Sequence, residues 1–353
     1  MSHLPIGKLP ASMLKDLLDR YVTTDPRVIV GPGIGEDAAV LDLGDRYLVA
    51  KTDPVTYAVD EIGWYAVNIN ANDVVCCGAT PRWYLVTVLL PEAKTTPELI
   101  ETIFDQVSQA CRQLGISWCG GHTEVVYGLS RPILVGQMLG EVAPDRCLTS
   151  AGVQVGDLVI LTKGIAVEAT AIIAREKQDR LRGVVPEEEL KRYARFLHEP
   201  GISVVRDAQL ALEVGGVHAL HDPTEGGVAT GLWELAQAAH VGLLIDQQRL
   251  PLLPECETLC RHFGLDPLGL IASGSLLIAA QPDRAAAIQQ RLHSAGIAAA
   301  IVGEVVPADQ GCRLRRSDQS LQPLPVFARD EISRLFEGTT PSEGEAGHCA
   351  RER

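Results

Sequence analysis

At 353 residues the chain is long enough for about two domains, and 46% hydrophobic with 22% charged residues describe a soluble, well-cored protein. The formal net charge of −14 argues against a nucleic-acid surface, which needs clustered Lys and Arg. It is compatible with a nucleotide whose phosphates meet acidic side chains through Mg²⁺.

No apolar run reaches about 18 residues, so no transmembrane helix is expected. The start "MSHLPIGKLPASML" has neither the basic lead nor the apolar stretch of a signal peptide, so a cytoplasmic location is expected. Nine scattered cysteines in such a chain read as reduced thiols. "CETLCRH" brings Cys256, Cys260 and His262 close together, but no second ligand pair follows at a zinc spacing. Packed helical thiols are the reading adopted.

In chain order, "SMLKDLLDRYV" (12–22) has amphipathic helical spacing with Ser12 as its expected N-cap. Next comes the loop "GPGIGE", then strand patterns at Ala38–Leu41 and Tyr47–Lys51. The spacing of "DEIGWYAVNINANDVVCCGA" predicts a helix around 62–73, and "RWYLVTVLL" a buried strand. "TTPELIETIFDQVSQACRQL" predicts a helix over 96–114 with a Thr cap and Pro in its first turn. "RPILVGQMLGEV" gives a strand near 132–142.

The two glycines of "SAGVQVGD" mark a domain boundary near residue 150. Beyond it come a strand at Leu158–Thr162, a helix at Ala166–Arg175 and helices across 186–214. A helix at Val228–Ala239 and a strand at Gly242–Ile245 follow, and then two apolar strands bracket a helix near 283–294. Strands alternate with helices without strict βαβ units, which favours α+β over a doubly wound sheet. The last residues, 336–353, have the polar composition of a disordered tail.

Several residues resist a bland reading. Ile62, Tyr65, Ala66 and Ile69 form one apolar stripe, and Asp73, eleven residues beyond Ile62, falls about 20° off that line. A carboxylate on a buried face needs a partner, either a metal or an ion pair. Asp53 closes the strand "YLVAKTD", where ligands collect in open sheets, and Asp37 follows the glycine loop; each alone is also an ordinary turn residue. In "CGGHTEVV", Gly120 and Gly121 permit close backbone approach, and His122, Thr123 and Glu124 offer ligands or hydrogen bonds. In "HDPTEGGVATGLWELA", Gly226 and Gly227 open a helix whose N–H groups could hold an anion or simply be capped. "GPGIGE" breaks the dinucleotide fingerprint at Glu36, and no P-loop occurs.

Taken in order, "GIGEDAAVL", "KTDP", "NANDVVCCGATP", "GGHTEV", "GDLVILTKG" and "HDPTEGGVATGLWELA" resemble the aminoimidazole ribonucleotide (AIR) synthase, or PurM-like, superfamily, and "ASGSLLIA" and "IVGEV" extend the match to about residue 305. "ANDVVCCGATP" and "HDPTEGG" are most similar to its hydrogenase maturation branch, which makes a protein-bound thiocyanate. The resemblance implies two α+β domains, residues 1–150 and 151–335: an N-terminal PurM-like domain whose sheet joins a partner's into a barrel across a homodimer, and a C-terminal α/β sandwich. It implies ATP and Mg²⁺ in a groove between domains, with Asp37, Asp53 and Asp73 as the magnesium-holding acids. Gly33, Gly35, Asn72, Gly120, Gly121, Thr123, Gly226 and Gly227 stand with them at the nucleotide site. Lys163, His122 and Glu124 are the catalytic candidates.

The implied chemistry is phosphoryl transfer that activates an amide or carbamoyl-type oxygen, with a maturation factor as possible partner. A small-metabolite kinase and a non-catalytic nucleotide-binding partner are the alternatives. The sequence departs from the branch in three places. Cys349 is followed by four residues and preceded by no Pro-Arg lead; Glu225 stands where the branch usually has Arg; and "ASGS" replaces an acidic-glycine pair.

Overall fold

The computed structural model describes residues 9–336 except 24, 34, 56 and 57, with no account of the side chains of residues 11 and 12. The tail expected from 336 onwards, with Cys349, lies outside the described residues from 337.

The first half runs α1 (Ala11–Tyr21), β1 (Val28–Val30), β2 (Ala39–Asp42), β3 (Tyr47–Val55), α2 (Ile62–Cys76), β4 (Thr80–Pro91), α3 (Pro97–Leu114), β5 (Ser117–Val126) and β6 (Ile133–Val142). Its strands form a six-stranded sheet in the order β1-β2-β3-β6-β4-β5. The second half runs β7 (Leu158–Thr162), α4 (Val167–Glu176), α5 (Gln178–Leu181), α6 (Glu187–Ala194), α7 (Val205–Val214), β8 (Val217–His221) and α8 (Gly227–Ala239). It continues through β9 (Gly242–Asp246), α9 (Pro254–Phe263), β10 (Leu277–Ala280), α10 (Pro282–Ser294), β11 (Ala299–Val306), β12 (Cys312–Arg315) and β13 (Leu321–Pro323). Those strands form a seven-stranded sheet, order β13-β12-β9-β11-β7-β10-β8. Pairing is antiparallel except for β4 with β5 and β9 with β12, so the fold is α+β.

Local chemistry accounts for most of these elements. Thr96 caps α3 as expected: its side chain accepts from the Leu99 N–H at 3.2 Å, with Pro97 in the first turn and Gly115 closing the helix at φ 68°. Ser12 is not the cap of α1; the helix already includes Ala11, and Pro10 holds the cap position. Cys256 and Cys260 are buried on α9 with sulfurs 3.8 Å apart while His262 is exposed, the packed-thiol arrangement.

Helix α2 is the element on which the two halves meet. It packs on β3, β4 and β6 at one side, on α3 at another, and on α7 and β8 of the second half. Every residue from Ile62 to Cys76 is buried except Trp64. The expectation that one stripe of this helix faces the core is therefore corrected. All its faces are covered, which is how Asn68, Asn70, Asn72 and Asp73 come to be buried together. Each needs a partner. Asn72 bridges the halves: its amide donates to the Ile202 carbonyl at 2.8 Å and its oxygen accepts from the Val204 N–H at 2.8 Å. Asn70 accepts from the Asp53 N–H at 2.9 Å and donates to Ala66 O at 2.8 Å, fixing α2 against β3.

Gly136 of β6 makes that contact possible. A Cβ there would lie 2.3 Å from Asn70 Nδ2 and 2.7 Å from the Tyr84 hydroxyl. Gly136→Ala is expected to destabilise the fold by about 1–3 kcal/mol through overpacking. Urea denaturation checks this, and an unchanged midpoint and slope would show that α2 moves freely over the sheet.

Candidate active site

Three elements end around one cavity of about 450 Å³: β3, α2 and the segment after β8. Side chains alternate along a strand, so Lys51 and Asp53 leave β3 on one face. That face looks toward the end of α2, where Asp73 sits. Lys51 Nζ lies 3.2 Å from Asp73 Oδ1 and 3.5 Å from Asp53 Oδ2. From the other half come His221, the last residue of β8, and Asp222 immediately after it, both buried. His221 Nδ1 lies 2.9 Å from Asp37 Oδ1, and its Nε2 lies 3.1 Å from Glu234 Oε2 on α8. Ligand atoms of Asp37, Cys76 and Asp222 lie within 4.8 Å of one another.

Negative charge exceeds positive charge here. Burial opposes the Lys51 ammonium, but the carboxylates of Asp73, Asp53, Asp37 and Asp222 together hold its pKa well above the usual lysine value. Burial likewise opposes the His221 charge, and Asp37 and Glu234 overcome it, so this imidazole stays protonated well above the ordinary histidine range. Burial holds Asp73 well above the usual carboxylate range; Lys51 pulls it down, and Asp222, Asp53 and Asp37 push it further up. Burial and then Asp37 push Asp222 up to about 7. Asp73 Oδ2 and Asp222 Oδ2 are buried without a hydrogen-bond partner among the described residues. A hard cation with oxygen ligands fits that set of donors: it would satisfy the orphaned oxygens and displace the protons that crowding forces onto the carboxyls.

The expected site residues separate into two groups. Gly33, Gly35, Asp37, Asp53 and Asp73 all line the cavity. Gly35 has φ 81°, and a Cβ there would meet the Glu234 carbonyl oxygen at 2.9 Å, so the loop needs glycine in order to cross α8. Asn72, Gly120, Gly121, His122, Thr123, Glu124, Lys163, Gly226 and Gly227 do not line it. Asn72 is occupied in tying the halves together.

"CGGHTEVV" forms most of β5, the edge strand of the first sheet. Gly121 is required because a Cβ would lie 2.0 Å from Val86 O on β4, and His122 Nε2 meets Glu124 Oε2 at 2.8 Å on the exposed surface. Lys163 lies in a second cavity, where Nζ donates to Ser203 O at 2.5 Å and pairs with Asp207 Oδ2 at 3.1 Å. At the start of α8, the Gly226 N–H donates to Asp330 Oδ2 at 2.7 Å and the Gly227 N–H to Thr224 O at 3.0 Å. Those donors are taken within the chain and do not reach the cavity.

Sequence reasoning missed Lys51, His221, Asp222 and Glu234. The Lys-x-Asp spacing on β3 was a usable signal for Lys51. The partners of His221 are 13 and 184 residues away, so no local pattern marks it.

Two family models match, AIR synthase related protein N-terminal domain over residues 35–142 and C-terminal domain over 154–313. The chain is 30% identical to carbamoyl dehydratase HypE of Rhizobium leguminosarum bv. viciae across 78% of each protein. The chain belongs to the AIR synthase related family, in its HypE branch. Among solved structures, Escherichia coli HypE matches with a TM-score of 0.72 and 25% identity, covering 92% of this chain and 99% of that one. A HypE structure in complex with ATP shares the fold at a TM-score of 0.69 and 23% identity, covering 90% of this chain and 96% of that one. The cavity acids of this family member are contributed by both matched domains: Asp37, Asp53 and Asp73 by the first, Asp222 and Glu234 by the second.

Lys51→Met should lower the free energy of unfolding by about 3 kcal/mol or more, because it strands a buried carboxylate. The folded pKa of Asp73 already exceeds its unfolded value, and loss of the ammonium that pulls it down raises it further. The loss is then smallest at low pH and grows as pH rises through the raised Asp73 value. Urea titrations across pH measure this, and a pH-independent loss would remove Asp73 as the cause.

Proposed function

We propose that the cavity binds ATP with Mg²⁺ and activates a carbamoyl-type acceptor; the name carbamoyl dehydratase of its relatives and the HypE structure in complex with ATP support this reading. The observation that carries the reading is the group of Asp37, Asp53, Asp73 and Asp222 around Lys51, in which Asp73 and Asp222 are buried and each keeps one carboxylate oxygen unpartnered among the described residues. Asp37, Asp53 and Asp73 would hold the cation, with Asp222 completing the set; the cation neutralises phosphate charge in the cavity. Positioning and charge neutralisation then supply most of the rate enhancement.

In the reaction, the carbamoyl oxygen attacks the γ-phosphorus and ADP leaves. Loss of two N–H protons and breakage of the C–O bond release phosphate and leave a nitrile, so that a carbamoyl group and ATP become a nitrile, ADP and phosphate. His221 acts through Asp37. Held between Asp37 and Glu234, it fixes the carboxylate without touching the nucleotide.

A homodimer fits the same reading. β5 is an edge strand exposed over much of its length; Val125 on it is 54% exposed and Tyr127, in the turn just after it, 87%, an apolar surface left to water at this edge. A second copy laid on β5 would cover this edge, and the partner's His122 and Glu124 would lie at the interface. A maturation factor that delivers the carbamoyl group belongs to the same proposal. So does the division into two domains near residue 150, between β6 and β7.

Calorimetry of Mg·ATP binding tests the nucleotide site. Asp37→Asn should abolish measurable heat, and His221→Gln should weaken binding about ten- to a hundredfold, as loss of a supporting partner does. Binding that persists in Asp37→Asn would move the nucleotide elsewhere. For the assembly, Val125→Lys should shift sedimentation toward the monomer, and a wild-type protein that sediments as a monomer would remove the dimer.

A further inference from the structure

The cavity has a second polar region that the acids around Lys51 do not use. Glu168 projects from the first turn of α4 and is 2% exposed, and Ser273, in the segment before β10, is fully buried. Both line the cavity, beside Thr224, Glu225 and Ile271. Among the described residues, Glu168 Oε2 and Ser273 Oγ have no hydrogen-bond partner. A buried carboxyl oxygen and a buried hydroxyl left unpartnered on one cavity wall cost stability, unless a ligand takes them up.

The chemistry of this wall is selective. The charged and titratable groups that act on Glu168 are Glu225 and Asp330, with Tyr65 of α2 also near it; none of them is a cation. Among the described residues, the cations lining the cavity are Lys51 and His221, and both are held by carboxylates. An anionic acceptor would meet only repulsion at this wall. A neutral group bearing N–H donors and a carbonyl acceptor matches it. Burial also pushes the Glu168 carboxyl up to about 8, against the pull of Ser273, so at neutral pH it carries its proton. A protonated carboxyl donates through O–H and accepts through C=O, the complement of a primary amide.

We propose that Glu168 and Ser273 form the seat for the terminal –CONH₂ of the acceptor, selecting an uncharged primary amide or carbamoyl group. The seat rests on the ATP-dependent carbamoyl reading above and assigns to that reading the residues that recognise its substrate. Glu168 pairs with the amide through two hydrogen bonds, its O–H to the carbonyl oxygen and an amide N–H to its own carbonyl oxygen. Ser273 Oγ accepts the second N–H. The remaining face of the carbonyl oxygen is left for the phosphoryl group.

The test uses the full chain with saturating Mg·ATP and two probes, N-acetyl-S-carbamoylcysteine methyl ester and its N,N-dimethyl counterpart. Phosphate release is followed across pH, and Mg·ATP affinity is measured by calorimetry. The carbamoyl probe should stimulate release and the dimethyl probe should not. Its KM should rise as pH passes about 8, where Glu168 loses its proton. Glu168→Ala should raise that KM about tenfold or more while Mg·ATP affinity stays unchanged, with Ser273→Ala a smaller change in the same direction. Glu168→Gln, which keeps a donor and an acceptor in the same shape, should restore the KM and flatten its pH dependence.

An unchanged KM in Glu168→Ala, equal stimulation by the dimethyl probe, or a pH dependence that survives in Glu168→Gln would overturn the seat alone. Mg·ATP binding without stimulation by either probe would overturn the carbamoyl reading and the seat with it. Absence of Mg·ATP binding would overturn the nucleotide site on which both stand.

Discussion

One lysine holds the centre of this molecule. Lys51 reaches from β3 to Asp73 at the buried end of α2 and to Asp53 beside it, and it also feels Asp37 and Asp222. A single ammonium cannot balance that many carboxylates in a place with little water. The surplus charge has two outlets, protons on the acids or an added cation, and the raised values of Asp73 and Asp222 are the first of these. The arrangement is costly without a ligand and an added cation would relieve it, which supports the proposed binding site over a structural ion pair.

The rest of the fold keeps the acids converging. α2 can carry a carboxylate into the interior because both halves cover it, and its asparagines hold the neighbours in register. Asn70 pins the backbone of Asp53, and Asn72 clasps the segment at Ile202 and Val204. Gly136 leaves room for the first of these contacts, and Gly35 lets the loop before Asp37 cross α8. His221 carries the link into the second sheet. Being the last residue of β8, it ties Asp37 of one half to Glu234 of the other. The same cavity then changes character along its wall, from acids gathered around cations to a carboxyl and a hydroxyl with nothing to bond.

Much of this was legible in the chain. Periodicity and caps located α2, α3, β3, β4, β6 and α8 to within a few residues, and the ordered motifs identified the family. Asp37, Asp53 and Asp73 could be singled out because a glycine loop, a strand end and a helix face are local features that three short segments display. The same reasoning did not place Gly120 to Glu124, which lie on β5 away from this cavity. A glycine pair next to polar residues reads as a close backbone approach to a ligand, yet Gly121 is there because β4 passes too close for a side chain, and the stretch is an edge strand. Of the two readings left open for Gly226 and Gly227, the capped one describes their donors, which are met by Asp330 and Thr224.

What the sequence by itself determined is the set of elements, the family and the identity of three acids, since each follows from residues within a turn or a strand of one another. What only the tertiary structure decided is the company those acids keep. Asp222, His221 and Glu234 lie far along the chain from Asp37, and Ser273 is more than a hundred residues from Glu168. Their meeting depends on how the second sheet docks against α2. Burial, the unpartnered oxygens and the raised carboxyl values are properties of that docking, because desolvation and charge crowding depend on distance in space and not on distance along the chain.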